Sequence, residues 1–330
     1  MPWWICLVFC MAAEEPVSQW QVSVEPDVAI VRSNGESVLI KGPEVYVYDN
    51  QGTPLRNVTL AFAPDRAFVG PDDSVWVHDG ENLLGRLNDN YNLAWQREMA
   101  PPSVPPFVFG GLLAYAAGSD VFLLAPEDGS ARYSRRVPQP VTALVSLDEW
   151  LLISDGGPWI LTWAPETGIE QTRYEGKGDL RFAERAPTGE VALTFPKGRL
   201  EVAYRGIRAR WRRDHHIDIA VPPVWLHAIR KPQLLVATQG RRITAYGLNG
   251  RILASHLLTS RVTSLIPFHD NRVLVIPEES TQIVWYHGET QSFTTEQLPE
   301  TIHFLAFKGD YVLLVDYSGL VRLFRTTPGL

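Results

Sequence analysis

The stretch WLLISDGGPWILTWAPETGIEQTRYE, Trp150 to Glu175, contains the hydrophobic pattern of the whole chain in miniature. An apolar run, WLLISDG, ends at a glycine turn. A second, WILTWAPETG, ends in a polar turn, and IEQTRYE follows. VTALVSL precedes all three. Apolar runs this short, bounded by Gly, Pro and Asp, read as strands rather than helices. With Leu151 as reference, equivalent strands recur at Val38, Val75, Leu113, Val191, Leu234, Val273 and Val312, at intervals of 37 to 43 residues. The pattern therefore predicts eight copies of a four-stranded antiparallel unit. Glycine falls between the second and third strands in seven of them: Gly42, Gly80, Gly118, Gly156, Gly198, Gly240 and Gly319. Tight turns there need a positive φ, which glycine adopts without steric cost. Proline marks the crossings between copies at Pro26, Pro64, Pro101, Pro138, Pro222 and Pro299, where no ladder bond has to be donated.

One such sheet cannot bury both of its faces. Packing each against the next around a ring does so, and four strands per ~40 residues repeated radially is the β-propeller pattern. The expected fold class is all-β, with eight four-stranded blades and seven as the alternative if one weak copy is not a blade. The eighth copy offers only IHFLAF, YVLLVDYSG and LVRLFRTT, whereas WQVSVE, Trp20 to Glu25, is surplus at the other end. Pairing the two would complete the last blade and cover an open edge.

The turn after the third strand carries a resemblance. APETG (Ala164 to Gly168), APEDG (Ala125 to Gly129) and LNDNYNLAW (Leu87 to Trp95), with YDNQG and YGLNG as degenerate forms, resemble the A-x-D-x-x-T-G-x-x-x-W signature of quinoprotein-like (PQQ-like, WD40-like) propeller repeats. In repeat style the chain is similar to the periplasmic propeller lipoprotein of the outer-membrane β-barrel assembly machine and to PQQ dehydrogenases. The resemblance implies the fold and leaves activity to be argued from a site. Many PQQ enzymes stack their cofactor on a vicinal disulfide. This chain has no adjacent cysteine pair and no Glu/Asn/Asp calcium set that its sequence picks out, so no cofactor is expected.

The N-terminal residues MPWWICLVFCMAAEE are apolar from Trp3 to Ala13 and then acidic. Eleven apolar residues are too few for a membrane span, which takes ~20. They fit the core of a secretory signal with small residues at Ala12 and Ala13, although no Lys or Arg precedes them. The expected organisation is a signal peptide over residues 1–13 and a single propeller domain over 14–330. The destination would be periplasmic or secreted. Both cysteines, Cys6 and Cys10, lie in this segment, so cleavage would leave a body without disulfides or thiolate metal sites. Leu7-Val8-Phe9-Cys10 resembles a bacterial lipoprotein box with Phe9 where a small residue is usual, making acylation at Cys10 the lesser alternative.

Composition changes the picture only through charge. The chain has 330 residues, 45% hydrophobic and 20% charged, with a net charge of −7. Eleven of its Lys and Arg, against three Asp and Glu, fall between Lys197 and Arg242. In RGIRARWRR the residues Arg208, Arg210 and Arg212 alternate with Ile207, Ala209 and Trp211, as on an outer strand of blade five. Arg213, His215, His216, Arg241 and Arg242 extend the basic sector, with the last two expected in a turn of blade six. A one-signed sector on an acidic protein makes a field suited to an anionic protein or envelope surface; a solvated rim of paired arginines is the alternative. Nucleic acid is not expected, since no recognition motif accompanies the arginines. RDHHID, Arg213 to Asp218, is expected in the longest crossing between copies; it would need a loop geometry to bring His215 and His216 onto one metal ion, and no further ligand stands at a recognised spacing. His227, His303, Glu184 and Arg181 lie in or beside the channel-lining first strands, and four scattered groups read as satisfied core residues rather than a catalytic set. Asn57-Val58-Thr59 is a glycosylation sequon, relevant only in a eukaryotic secretory route. The function expected is a non-catalytic exported binding or scaffold propeller. The alternative is a propeller enzyme, a metal-dependent hydrolase or lactonase or a degenerate quinoprotein, with its site at the channel mouth.

Overall fold

The computed structural model describes residues 18–22, 25–147, 150–157, 159–175, 182–185, 191–195, 199–205, 211–218, 223–229, 233–238, 241–247, 251–267, 272–278, 280–298, 300–308 and 311–325, and from 169 to 238 the description is of backbone. Among these residues there is no α-helix, only a short 3-10 turn at Pro71–Asp73. The strands form eight four-stranded antiparallel sheets. Sheet one is typical, with strands Val28–Val31, Ser37–Lys41, Glu44–Tyr48 and Pro54–Thr59 in spatial order. Sheets two to seven repeat it over 66–98, 107–136, 143–175, 182–218, 223–257 and 262–297. Sheet eight takes three strands from Ile302–Lys308, Tyr311–Asp316 and Leu320–Arg325, and its outer strand from Ser18–Gln21.

All eight strands located by the hydrophobic repeat are the second strands of these sheets. Each is interior to its sheet, and those whose side chains are described are covered on both faces, which is why they read as unbroken apolar runs rather than alternations. Val75, Trp76 and Val77 are buried, as are Leu113 to Ala116 and Val312 to Val315. Outer strands have one wet face. Pro54–Thr59 is almost wholly exposed. In sheets one to six a bulge interrupts the third-to-fourth ladder, at Val47/Tyr48 in sheet one and Arg86/Leu87 in sheet two, for example. Such bulges increase local twist.

The core lies between sheets. Val45 and Val47 of sheet one pack with Val75 and Val77 of sheet two. Leu84 packs with Leu113 of sheet three, and Val121 with Leu151 of sheet four. The first strands of sheets four and five, five and six, and six and seven lie side by side. Val275 joins Ile243, and Val312 joins Ile283. Val321 and Leu323 of sheet eight pack with Val31 and Leu39 of sheet one, and the first strand of sheet one also touches that of sheet eight.

A repeated side-chain contact ties the outer edges together. Trp95, on the fourth strand of sheet two, covers Gly129 in the APEDG turn of sheet three and donates its Nε1–H to Pro126 O at 3.0 Å. A Cβ on Gly129 would sit 2.5 Å from the Trp95 ring, and φ there is +67°, so both space and conformation demand glycine. Trp20 covers Gly52 in the YDNQG turn of sheet one in the same way, again at 2.5 Å from an added Cβ and with φ +82°. The tryptophan of one sheet's signature thus covers the signature turn of the next, and the contact between the N-terminal strand and sheet one has the same form as an internal one.

The surplus N-terminal strand pairs antiparallel with Leu320–Leu323, matching Gln21 to Leu320 and Ser18 to Leu323. It covers Ser18–Gln21, two residues earlier than the expected Trp20–Glu25. Val22 N–H donates to Gly319 O at 3.0 Å beyond the ladder's end.

Two expectations are corrected here. RGIRARWRR is not one strand: the third strand of sheet five is Arg199–Arg205, the fourth is Trp211–Asp218, and Arg205 is the register partner of Trp211. Alternating residues between two strands mimicked the period of a single one. RDHHID is not a crossing loop but part of that fourth strand, with His215 opposite Val202 and His216 opposite Glu201.

Candidate functional site

Because every sheet repeats the same strand order, the starts of the first strands and the second-to-third turns gather on one face. There the chain repeats a latch. The residue before the first strand donates its backbone N–H to the end of the second strand: Asp27 to Ile40 O at 2.7 Å, Asp65 to His78 O at 2.8 Å, Thr142 to Ser154 O at 2.8 Å. Ser103, one crossing later, donates to Ala116 O at 2.8 Å. Asp27, Asp65 and Ser103 are evenly spaced along the sequence. In sheets one and three the side chain closes the latch. The Asp27 carboxylate accepts Gly42 N–H at 2.7 Å and Lys41 Nζ at 2.9 Å, and Ser103 Oγ accepts Gly118 N–H at 2.8 Å. The Gly42 N–H, and then Lys41, hold the Asp27 carboxyl below the usual aspartate value.

Sheet two uses a histidine instead. His78 is fully buried; its Nδ1 accepts Gly80 N–H at 2.9 Å, which leaves Nε2–H to donate to Met99 O at 3.0 Å. This frees Asp65 from turn-capping. Its carboxylate has Arg66 Nε at 3.5 Å and accepts no closer hydrogen bond from the described residues.

Above these latches is a cavity of about 440 Å³. Val28 and Ala29 of sheet one, Ala67 and Phe68 of sheet two, and Phe304 of sheet eight line it, and the crossing Pro102-Ser103-Val104-Pro105-Pro106 forms its lip. Its charged groups, Asp27, Asp65 and Arg66, are exposed at the rim. Arg66 also reaches Pro102 O at 3.3 Å. Beside it, the His303 ring stands 4.0 Å from Phe304 and 4.4 Å from Tyr317 by centroids, with Nε2 3.7 Å from Glu25. An apolar floor under a few fixed polar groups is the usual make-up of a ligand pocket.

The opposite face carries a self-satisfied network. Arg32 donates to Glu36 at 2.6 Å, to Tyr91 Oη at 3.1 Å and to Asp73 O at 3.0 Å, and Tyr91 Oη–H donates to Glu36 at 2.6 Å. Burial, and then the bond to Glu36, pushes the Tyr91 hydroxyl far above its ordinary value. Asp72, Asp73 and Tyr91 hold positive φ of 53°, 62° and 63°, left-handed conformations that cost strain without glycine. The bonds to Asp73 and Tyr91 tie sheet one to sheet two, whereas Asp72 accepts from Arg86 within sheet two.

The sequence-predicted basic residues are described only in part. Arg208 and Arg210 lie outside the described residues. Arg212 and Arg213 are opposite Tyr204 and Ala203, near the third-to-fourth connection of sheet five. Arg241 sits in the second-to-third turn of sheet six with φ +63°, and Arg242 opens the third strand rather than lying in the turn; both are exposed. Those two connections are at opposite ends of their sheets. His227 is opposite Leu235, and Glu184 opposite Ala192, in first strands; Arg181 lies outside the described residues. Among the described residues no cluster of three or more His, Cys, Asp or Glu could hold a metal ion. The pocket residues carry no motif in the sequence; their one signal is the even spacing of Asp27, Asp65 and Ser103.

The fold and this face define a β-propeller. Solved structures agree over nearly the whole chain. BamB from Moraxella catarrhalis is 13% identical with a TM-score of 0.70, covering 94% of this chain and 99% of its own. Saccharomyces cerevisiae Sqt1 is 13% identical with a TM-score of 0.74, covering 96% and 99%. The computationally designed Ika8 protein is 14% identical with a TM-score of 0.71, covering 94% and 100%. At such identities the likeness is one of fold. No protein-family model and no curated protein sequence matches the chain. Among the described residues no helix is long and apolar enough to cross a membrane.

Proposed function

We propose that the chain is an exported, eight-bladed binding propeller, one domain over residues 14–330, whose N-terminal strand completes the last blade. The apolar run from Trp3 to Ala13 supports export, and the pairing of Ser18–Gln21 with sheet eight supports closure. The observation that carries the binding role is the open pocket: its rim groups are fixed by backbone latches and its floor is apolar, a preformed surface for a partner rather than a set of reacting groups. The basic sector supplies a second contact, to an anionic protein or envelope surface. Its main part would be Arg208, Arg210, Arg212 and Arg213 around the outer hairpin of sheet five, beside His215 and His216. Arg241 and Arg242 would act separately on the other face.

Affinity purification from the native host, comparing the wild type with the charge reversal R208E/R210E/R212E, tests this reading. The triple variant is expected to fold normally and to lose at least one partner that the wild type retains in a salt-sensitive manner. Identical partner profiles would refute the basic contact. Capture of nothing by the wild type would refute the binding role.

A further inference from the structure

The pocket on the latch face has chemistry of its own, distinct from that of the basic sector. Its walls are apolar and partly aromatic, with Phe68 on one side and Phe304 on the other. Its lining charges are two carboxylates, Asp27 and Asp65, against one guanidinium, Arg66, with Lys41 Nζ reaching Asp27 at 2.9 Å from outside the lining. The guanidinium is already engaged with Pro102 O and Asp65. Asp65 keeps acceptor sites beyond that ion pair. His78 has taken over the turn-capping that Asp27 performs in sheet one, so the Asp65 carboxylate is 62% exposed and accepts no close hydrogen bond from the described residues. An ionised carboxylate with unused acceptor sites above an aromatic wall suits a cation carried on an apolar stem. The cavity is within the range of about 300–1,000 Å³ usual for ligand pockets, and it is open to solvent, with Pro105 of its lip exposed, so a ligand's main chain can continue out of it.

We propose that this pocket docks a basic side chain, arginine or lysine, from a partner polypeptide. The methylene stem lies against Phe68 and Phe304, and the charged head lies between Asp27 and Asp65. The inference rests on the reading of the chain as a binding module and names the chemistry of one partner segment.

Fluorescence anisotropy with labelled peptides of one frame, Gly-Ser-Gly-Leu-X-Leu-Gly-Ser, tests it directly, X being arginine, lysine, citrulline or glutamate. The wild type should bind the arginine and lysine peptides about tenfold or more tighter than citrulline, and the glutamate peptide least. Citrulline keeps the shape of arginine and removes its charge. D27N/D65N, which keeps the hydrogen-bond acceptor for Gly42, should abolish the preference for charge. V104W, at the lip and outside every strand, should block all the peptides. Equal affinity for arginine and citrulline, undiminished binding by V104W, or no binding of any peptide to the wild type would each overturn the proposal. Native-host purification with V104W separates this failure from that of the binding role. An unchanged partner profile removes the pocket and leaves the module, whereas an empty wild-type profile removes the module and leaves the peptide result to judge the pocket.

Discussion

Asp27 shows how one side chain stabilises a repeat. It joins the start of an inner strand to the turn two strands outward, through Gly42 N–H and Lys41. Asp49 does the same for the outer turn of sheet one, accepting Gln51 and Thr53 N–H at 2.9 and 2.7 Å. The Gly42 N–H chiefly lowers the Asp27 carboxyl, and the Thr53 N–H chiefly lowers that of Asp49. A carboxyl depressed on folding stabilises the native state fully above its unfolded value, near 3.8, and the contribution is lost as the pH falls through the folded value. D27N/D49N retains the acceptors and removes the charges. The wild type should therefore lose more stability than the double variant between pH 5 and pH 2.5, read as the fall in urea midpoint; parallel falls would contradict the assignment. Such roles were hidden in the sequence, where an aspartate before a strand looks like any polar loop residue. His215 and His216 misled in the opposite direction, because a run of charged and imidazole side chains looks like a loop even when its backbone is paired.

At the scale of elements, the contact between an outer-strand tryptophan and the next sheet's glycine turn occurs at an internal boundary, Trp95 on Gly129, and where the N-terminal strand meets sheet one, Trp20 on Gly52. Both rings are half-buried, and W95A and W20A should each destabilise by about 2–3 kcal/mol, somewhat below the loss for a fully buried aromatic. W20A should cost the less of the two. Trp95 Nε1–H has Pro126 O, whereas Trp20 Nε1–H finds no acceptor among the described residues. Denaturant midpoints measure both; a negligible effect of W20A beside a large one of W95A would mean that the N-terminal strand is not a working blade strand. Second strands were legible because burial on both faces makes them continuously apolar, as with Val312 to Val315. Outer strands were less so. In Arg205 to Trp211 an alternation crossed from one strand to the next, and composition alone has no means of marking the break.

At the scale of the molecule, the repeat spacing announced repeated sheets, but the pocket was not legible, because its residues come from positions as far apart as Asp27, Asp65, Val104 and Phe304 and meet only in the folded chain. The whole account depends on that meeting of the chain's two ends. Gln21 and Leu320 are register partners at the seam, both at least partly exposed. Directly opposed residues on antiparallel strands have Cβ atoms about 4.5–5.5 Å apart, close enough for a disulfide after small adjustment. In a background with Cys6 and Cys10 replaced by serine, the measurement is the yield of intramolecular disulfide, by mass, in Q21C/L320C against the out-of-register control Q21C/V321C. Near-complete crosslinking of the first pair and little of the second is the result the closed ring predicts. No crosslink in either, or equal yields in both, would contradict it.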